Sequence, residues 1–226
     1  QNDQFILKNL LLELFNSLNN SYVDNSQMIT NQLMDIFSNQ AIEAIPILFD
    51  IFQSNLNITI RKYASIGIRM CIKKSHMFLN EESIQQIWNT LFQIIFNEPE
   101  DELVNFIVNP AVELFIQSRV SNEDDFERFG ILNFFQTLAE ANFSRCIRVL
   151  TEFLPNNINF EKNFYEFLFQ VLSTSLQSPQ KYYFIYQIIY ISGIFLIRPE
   201  VDENIKNVIS IQLSELFVEF LNNLNN

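Results

Sequence analysis

Of the 226 residues, 48% are apolar and 18% charged, enough hydrophobic material for one large or two modest cores and a composition that argues against a disordered chain. Only 3 Gly and 6 Pro are present, too few for the turns of a many-stranded sheet fold, so helices joined by short polar loops are expected. A formal net charge of −12 argues against a general nucleic-acid binder, which needs a basic face to displace phosphate counterions, and favours encounter with cationic partners.

Apolar residues recur at helical spacing almost throughout, as in Leu33, Ile36 and Phe37, or Ile84, Ile87, Trp88, Leu91, Phe92 and Ile95. The predicted helices cover 4–18, 25–38, 41–54, 57–75, 81–97, 101–118, 125–141, 143–154, 159–177, 181–198 and 202–224, and no strand is needed. The segment before the first of them, and Gln1 to Leu14 as a whole, has no basic leader, no purely apolar stretch and no small-residue cleavage site, so no secretory signal is expected. Pro46 and Pro110 should interrupt two helices near the first or second turn, each removing one amide donor. Asn80, followed by Glu81, Glu82 and Ser83, predicts a capped, acidic helix start, and Pro99 should end the helix that follows. Tyr182 to Ile197 is free of charge, but its helical length of about 24 Å is short of a bilayer core of about 30 Å. With Gln187, Ser192 and several tyrosines in it, this segment is expected to be a buried soluble helix. The chain ends in an Asn-rich tail with no evident capping repeat, so the natural protein is expected to continue beyond it.

Chemistry-bearing patterns are sparse. Cys71 and Cys146 are widely spaced in apolar helical patterns and are expected to pack as small hydrophobes, fitting a reducing, intracellular compartment. The single histidine, His76, follows Lys73 and Lys74 at a predicted helix end, where a positive group complements the helix dipole. Gly67, Gly130 and Gly193 all fall inside helical patterns, so no phosphate loop is expected, and no catalytic, cofactor or metal set emerges. The carboxylates gather in two runs, Glu98, Glu100, Asp101 and Glu102, then Glu123, Asp124, Asp125 and Glu127; they read either as solvated helix starts or as contacts for a basic partner. Arg61, Lys62, Arg69, Lys73 and Lys74 share one predicted helix. Lys62, Arg69 and Lys73, seven and four residues apart, align along one face that could grip an acidic partner. Arg61 could instead bond to a neighbouring repeat, and Lys73 and Lys74 could serve the helix end. The 24 Phe exceed what a simple core demands, so some could line grooves that accept apolar anchors.

Every second predicted helix from position 41 starts near 41, 81, 125, 159 and 202, a spacing of about 40 residues typical of two-helix HEAT and armadillo repeats. The expected fold is therefore all-α, a solenoid of antiparallel helix pairs, with residues 1–226 forming one segment of about five and a half pairs. The stretch from Asn31 to Glu102 resembles the N-terminal repeats of the importin-β (karyopherin) family. The resemblance rests on the Ile60-Arg61 helix start, the small residue Ala64, the end "IRMCIKK", the acidic start at Glu81 and Glu82, and the helix ending in "NEPE". Met77 and Phe78 stand where a tryptophan often follows in that family.

The resemblance implies a nuclear transport receptor rather than an enzyme, cytoplasmic and nuclear, with no membrane or direct nucleic-acid partner. It implies binding of a Ran-type GTPase in its GTP form on the second helices of the first repeats, with cargo proteins, expected to be basic, and Phe-Gly segments of pore proteins bound elsewhere. Lys62, Arg69 and Lys73 are the contact residues expected by that placement. The alternative is a HEAT scaffold subunit of another protein complex.

Overall fold

A computed structural model describes residues 2–20, 23–118, 129–154, 162–199 and 201–224. It is all-helical, and no strand occurs among the described residues. We number its helices α1 (Asn2–Asn20), α2 (Val23–Asn39), α3 (Ala41–Gln53), α4 (Ile58–Ser75), α5 (Glu81–Asn97), α6 (Asp101–Gln117), α7 (Ile131–Ala141), α8 (Phe143–Phe153), α9 (Lys162–Gln177), α10 (Ile185–Ile197) and α11 (Glu203–Leu224). The chain divides into two compact units, Gln1–Val120 and Ser121–Asn226, each of which has its own core.

Local chemistry explains most helix boundaries. The side chains of Asn57, Asn80 and Asn142 accept hydrogen bonds from the amides of Ile60, Ser83 and Arg145 at 2.9, 2.8 and 3.0 Å, each satisfying an otherwise orphaned first-turn donor. Glu81 and Glu82 occupy the first turn of α5 and complement its dipole, as Asn80 and its successors predict. Two expectations need correction. Gly130 is not helical: at φ 64° it takes the left-handed conformation that admits glycine freely and stands just before α7. The start expected at 125 lies outside the described residues. The helix expected from 181 begins only at Ile185, because residues 179–184 form successive tight turns, with Tyr183 N donating to Gln180 O at 2.9 Å and Phe184 N to Lys181 O at 3.1 Å.

In the first unit α4 is the hub, packed by α1, α2, α3 and α6. Ala64, Ile68, Cys71 and Ile72 are fully buried along it. Gly67 lets α4 approach closely: a Cβ there would lie 2.9 Å from Phe37 Cζ and 3.1 Å from both Leu48 methyls. Trp88 of α5 is fully buried, its ring centre 5.0 Å from that of Phe92 in a tilted contact and 6.4 Å from that of Phe115 edge-on.

Pro110 lies within α6, further along than a first- or second-turn position, and the helix runs through it. Its missing amide orphans the carbonyl of Phe106, four residues back. Ser65, buried on α4, donates to that carbonyl at 2.8 Å. Along the same seam Lys62 pairs with Glu102 and Arg69 with Glu113, so ascending positions on α4 meet ascending positions on α6 and the two helices run parallel. The residues joined are 40, 41 and 44 apart in sequence.

The second unit is built on aromatic contacts. Phe135 of α7 meets Phe134, Phe153 of α8 and Phe164 of α9, with ring centroids 5.2, 5.2 and 6.0 Å apart. α10 packs on α8, α9 and α11. Tyr182, just before α10, meets Phe220 near the C-terminal end of α11 at 5.8 Å and accepts from Asn223 at 2.9 Å, so α10 and α11 run antiparallel. Lys181 bonds Glu219, and its hydrogen bond, with that of Tyr182, holds the Glu219 carboxyl below its ordinary range.

Replacing Ser65 by Ala should cost about 1–2 kcal/mol by leaving the Phe106 carbonyl without a partner. In a Pro110→Ala background, where residue 110 regains its amide, the same replacement should cost measurably less; urea unfolding of the four proteins in the cycle checks this.

Candidate protein-binding surface

The three residues singled out on the basic face fall into two groups. Lys62 forms an ion pair with Glu102 and lies 5.0 Å from the centre of the Phe106 ring, and Arg69 Nε donates to Glu113 Oε2 at 3.1 Å. Lys73 is exposed and has no ion-pair partner among the described residues. Lys62 and Arg69 therefore already serve the α4–α6 seam, while Lys73 remains presented to solvent.

Arg61, one residue earlier, follows the within-stack reading. It donates to the Phe52 carbonyl, lies 5.1 Å from the Phe52 ring centre and pairs with Glu98. The side chains of Arg61 and Glu98 are only 14% and 5% exposed, so each compensates a charge that burial would otherwise penalise. Glu98 also accepts from the Glu100 amide at 3.1 Å, tying the turn before α6. The first acidic run is thus partly structural, through Glu98 and Glu102. The second, Glu123 to Glu127, lies outside the described residues. Sequence reading missed Glu113, which is 5% exposed in the middle of α6. Its signal was its spacing of 44 residues from Arg69, near the 40 that separate Lys62 from Glu102.

An apolar groove opens in each unit. In the first unit, a groove of about 370 Å³ lies between α3 and α5, walled by Ile42, Ile45, Phe49, Leu79 and Ile87 with Gln53 and Gln86 among its polar lining. In the second, one of about 590 Å³ lies between α9 and α11, walled by Tyr165, Phe169, Phe195 and Ile205. Each lies between helices one place apart in the alternation, and each has room for a few apolar side chains of a partner. Further apolar side chains stand exposed on α10, among them Tyr186 at 66% and Ile197 at 77%.

No group of three or more His, Cys, Asp or Glu that could hold a metal occurs among the described residues. His76 sits at the end of α4 with Nδ1 3.3 Å from the Lys73 carbonyl. Both cysteines are fully buried, and burial pushes each thiol up to about 12. No helix among the described residues is long and apolar enough to cross a membrane. Compared with protein-family models, curated proteins and solved structures, the chain matches none.

Replacing Glu98 by Ala should destabilise the protein by about 3 kcal/mol, because the Arg61 guanidinium is left buried without its counter-charge, whereas Lys73→Ala should change stability by less than about 0.5 kcal/mol; urea unfolding distinguishes the two. The thiols give a pH dependence. Unfolded thiols ionise from about pH 9 while the folded ones keep their protons to about 12, so their stabilisation is complete below that window and is lost as pH rises through it. Each should contribute a loss of about 1.4 kcal/mol per pH unit, and unfolding free energies of a Cys71→Ala/Cys146→Ala variant should fall less steeply in that range.

Proposed function

We propose that the chain is a protein-binding segment of a HEAT-type solenoid, in which antiparallel helix pairs repeat about every 40 residues. The observation that carries this reading is the seam between α4 and α6, where residues 40, 41 and 44 apart bond along parallel helices. A helix meeting its equivalent one repeat later requires that register. The grooves between α3 and α5 and between α9 and α11 support the same alternation. Surfaces of this kind hold other proteins without reacting with them.

Within that class, the resemblance of residues 31–102 supports an importin-β-like transport receptor acting between cytoplasm and nucleus. A Ran-type GTPase in its GTP form would bind the second helices, α2, α4 and α6. Lys73 is the cation presented for it, and Lys62 and Arg69 would exchange Glu102 and Glu113 for acids of the GTPase. Phe-Gly segments of pore proteins find apolar seats in grooves like that between α3 and α5, and the net charge of −12 suits basic cargo.

The commitment of Lys62 and Arg69 to the seam favours a second reading, a HEAT scaffold subunit of a nontransport complex. Pull-down with Ran locked in its GTP form decides between them. The transport reading expects retention at micromolar Ran that weakens on Lys73→Glu. Ran left at background, with subunits of a nontransport complex recovered by co-purification, establishes the scaffold instead.

A further inference from the structure

The turn joining α4 to α5 carries an unusual surface. His76–Phe78 forms one turn of 3-10 helix, and its two large apolar side chains, Met77 and Phe78, are 76% and 77% exposed. Side by side, the two form a small contiguous apolar patch, the kind of surface that can receive a partner's side chain. Immediately before them, Lys73 and Lys74 end α4, both exposed and both without an ion-pair partner among the described residues. They complement the helix dipole, but that leaves their ammonium groups in solvent and able to take a further counter-charge. Immediately after, Leu79 leads into the wall of the groove between α3 and α5. The groove's own acid, Asp50, is already paired with Lys8. Two lysines without an ion-pair partner among the described residues thus stand on the α4 side of the exposed pair, and Glu81 and Glu82, which complement the dipole of α5, stand on the other.

We propose that this corner of the first unit docks an acidic, extended segment of a partner protein that carries an apolar anchor. The anchor lies against Met77 and Phe78 at the mouth of the groove, and flanking carboxylates pair with Lys73 and Lys74. Charge complementarity on the α4 side selects the occupant: a basic segment crossing from the end of α4 would meet two ammonium groups, whereas an acidic one gains two ion pairs there and covers the exposed side chains. The site shares Lys73 with the contact proposed for a Ran-type GTPase, but it is read out with a peptide alone and its apolar half, Met77 and Phe78, belongs to the turn, so its test succeeds or fails whether or not such a GTPase binds.

The probe is a short fluorescein-labelled peptide with a central Phe-Leu pair flanked by Glu, followed by fluorescence anisotropy, alongside a control peptide with Lys for every Glu. Saturable binding of the Glu peptide only, weakening as ionic strength rises, is expected. Lys73→Glu/Lys74→Glu and Met77→Ser/Phe78→Ser should each weaken it at least about tenfold. Thermal unfolding should be unchanged in Met77→Ser/Phe78→Ser and only slightly lowered in Lys73→Glu/Lys74→Glu, which reverses two charges that favour the end of α4; cooperative unfolding of both excludes misfolding as the cause. Absence of binding, equal binding of the Lys peptide, or indifference to both variants overturns the proposal. So does capture by phosphatidylserine-containing vesicles that Met77→Ser/Phe78→Ser abolishes while the Glu peptide stays unbound, since the turn would then be a membrane-inserting element.

Discussion

The carbonyl that Pro110 leaves without an amide is the point at which the first unit is tied together. An α-helix interior has no spare donor for it, and a buried orphan acceptor carries a desolvation cost of about 1–3 kcal/mol. Ser65 supplies the donor from α4, and on either side of that bond the Lys62–Glu102 and Arg69–Glu113 pairs hold the same two helices. Arg61 extends the series to Glu98 and reaches back to the Phe52 carbonyl. One helix thereby satisfies groups before and after it, and the apolar packing of Ala64, Ile68 and Ile72 acts on a register that the polar contacts have already set.

That arrangement divides the basic face by use. Cations facing α6 are structural, and the cation at the C-terminal end of α4 is available. A stripe at spacing seven and four looks uniform on a helical wheel, but Lys62 and Arg69 have partners across the seam and Lys73 has none among the described residues. The uncommitted charge on this face of α4 therefore lies at its C-terminal end.

Much of the helical layout was legible in the sequence, and the legible parts are those with short-range causes. The Asn80 cap, the acidic first turn of α5 and the stop before Pro99 depend on residues a few positions apart. The Arg61 bond to a neighbouring helix was also foreseeable, because Arg61 stands at a helix start with apolar surroundings. Failures arose where the deciding interaction was a backbone conformation or a distant partner. Gly130 fits a helical pattern by its neighbours' hydrophobicity, yet its positive φ places it outside. Residues 182–184 continue the apolar run of α10, yet three-residue hydrogen bonds coil them into turns after Ser178 and Pro179. Glu98 and Glu113 read as surface acids until the partner about forty residues away is known.

The close approach at Gly67 adds a mechanical property to the hub. With Phe37 and Leu48 lying where a methyl group would stand, α4 has almost no room to roll about its own axis. The ion pairs with α6 prevent it from sliding, since a shift of one helical turn, about 5.4 Å, would separate every bonded couple at once. α4 is therefore held by contacts of two kinds, steric against Phe37 and Leu48 and ionic against α6. The turn carrying Met77 and Phe78 leaves the end of this fixed helix, so a ligand seated there would bear on an element whose rotation and sliding are both opposed by its neighbours.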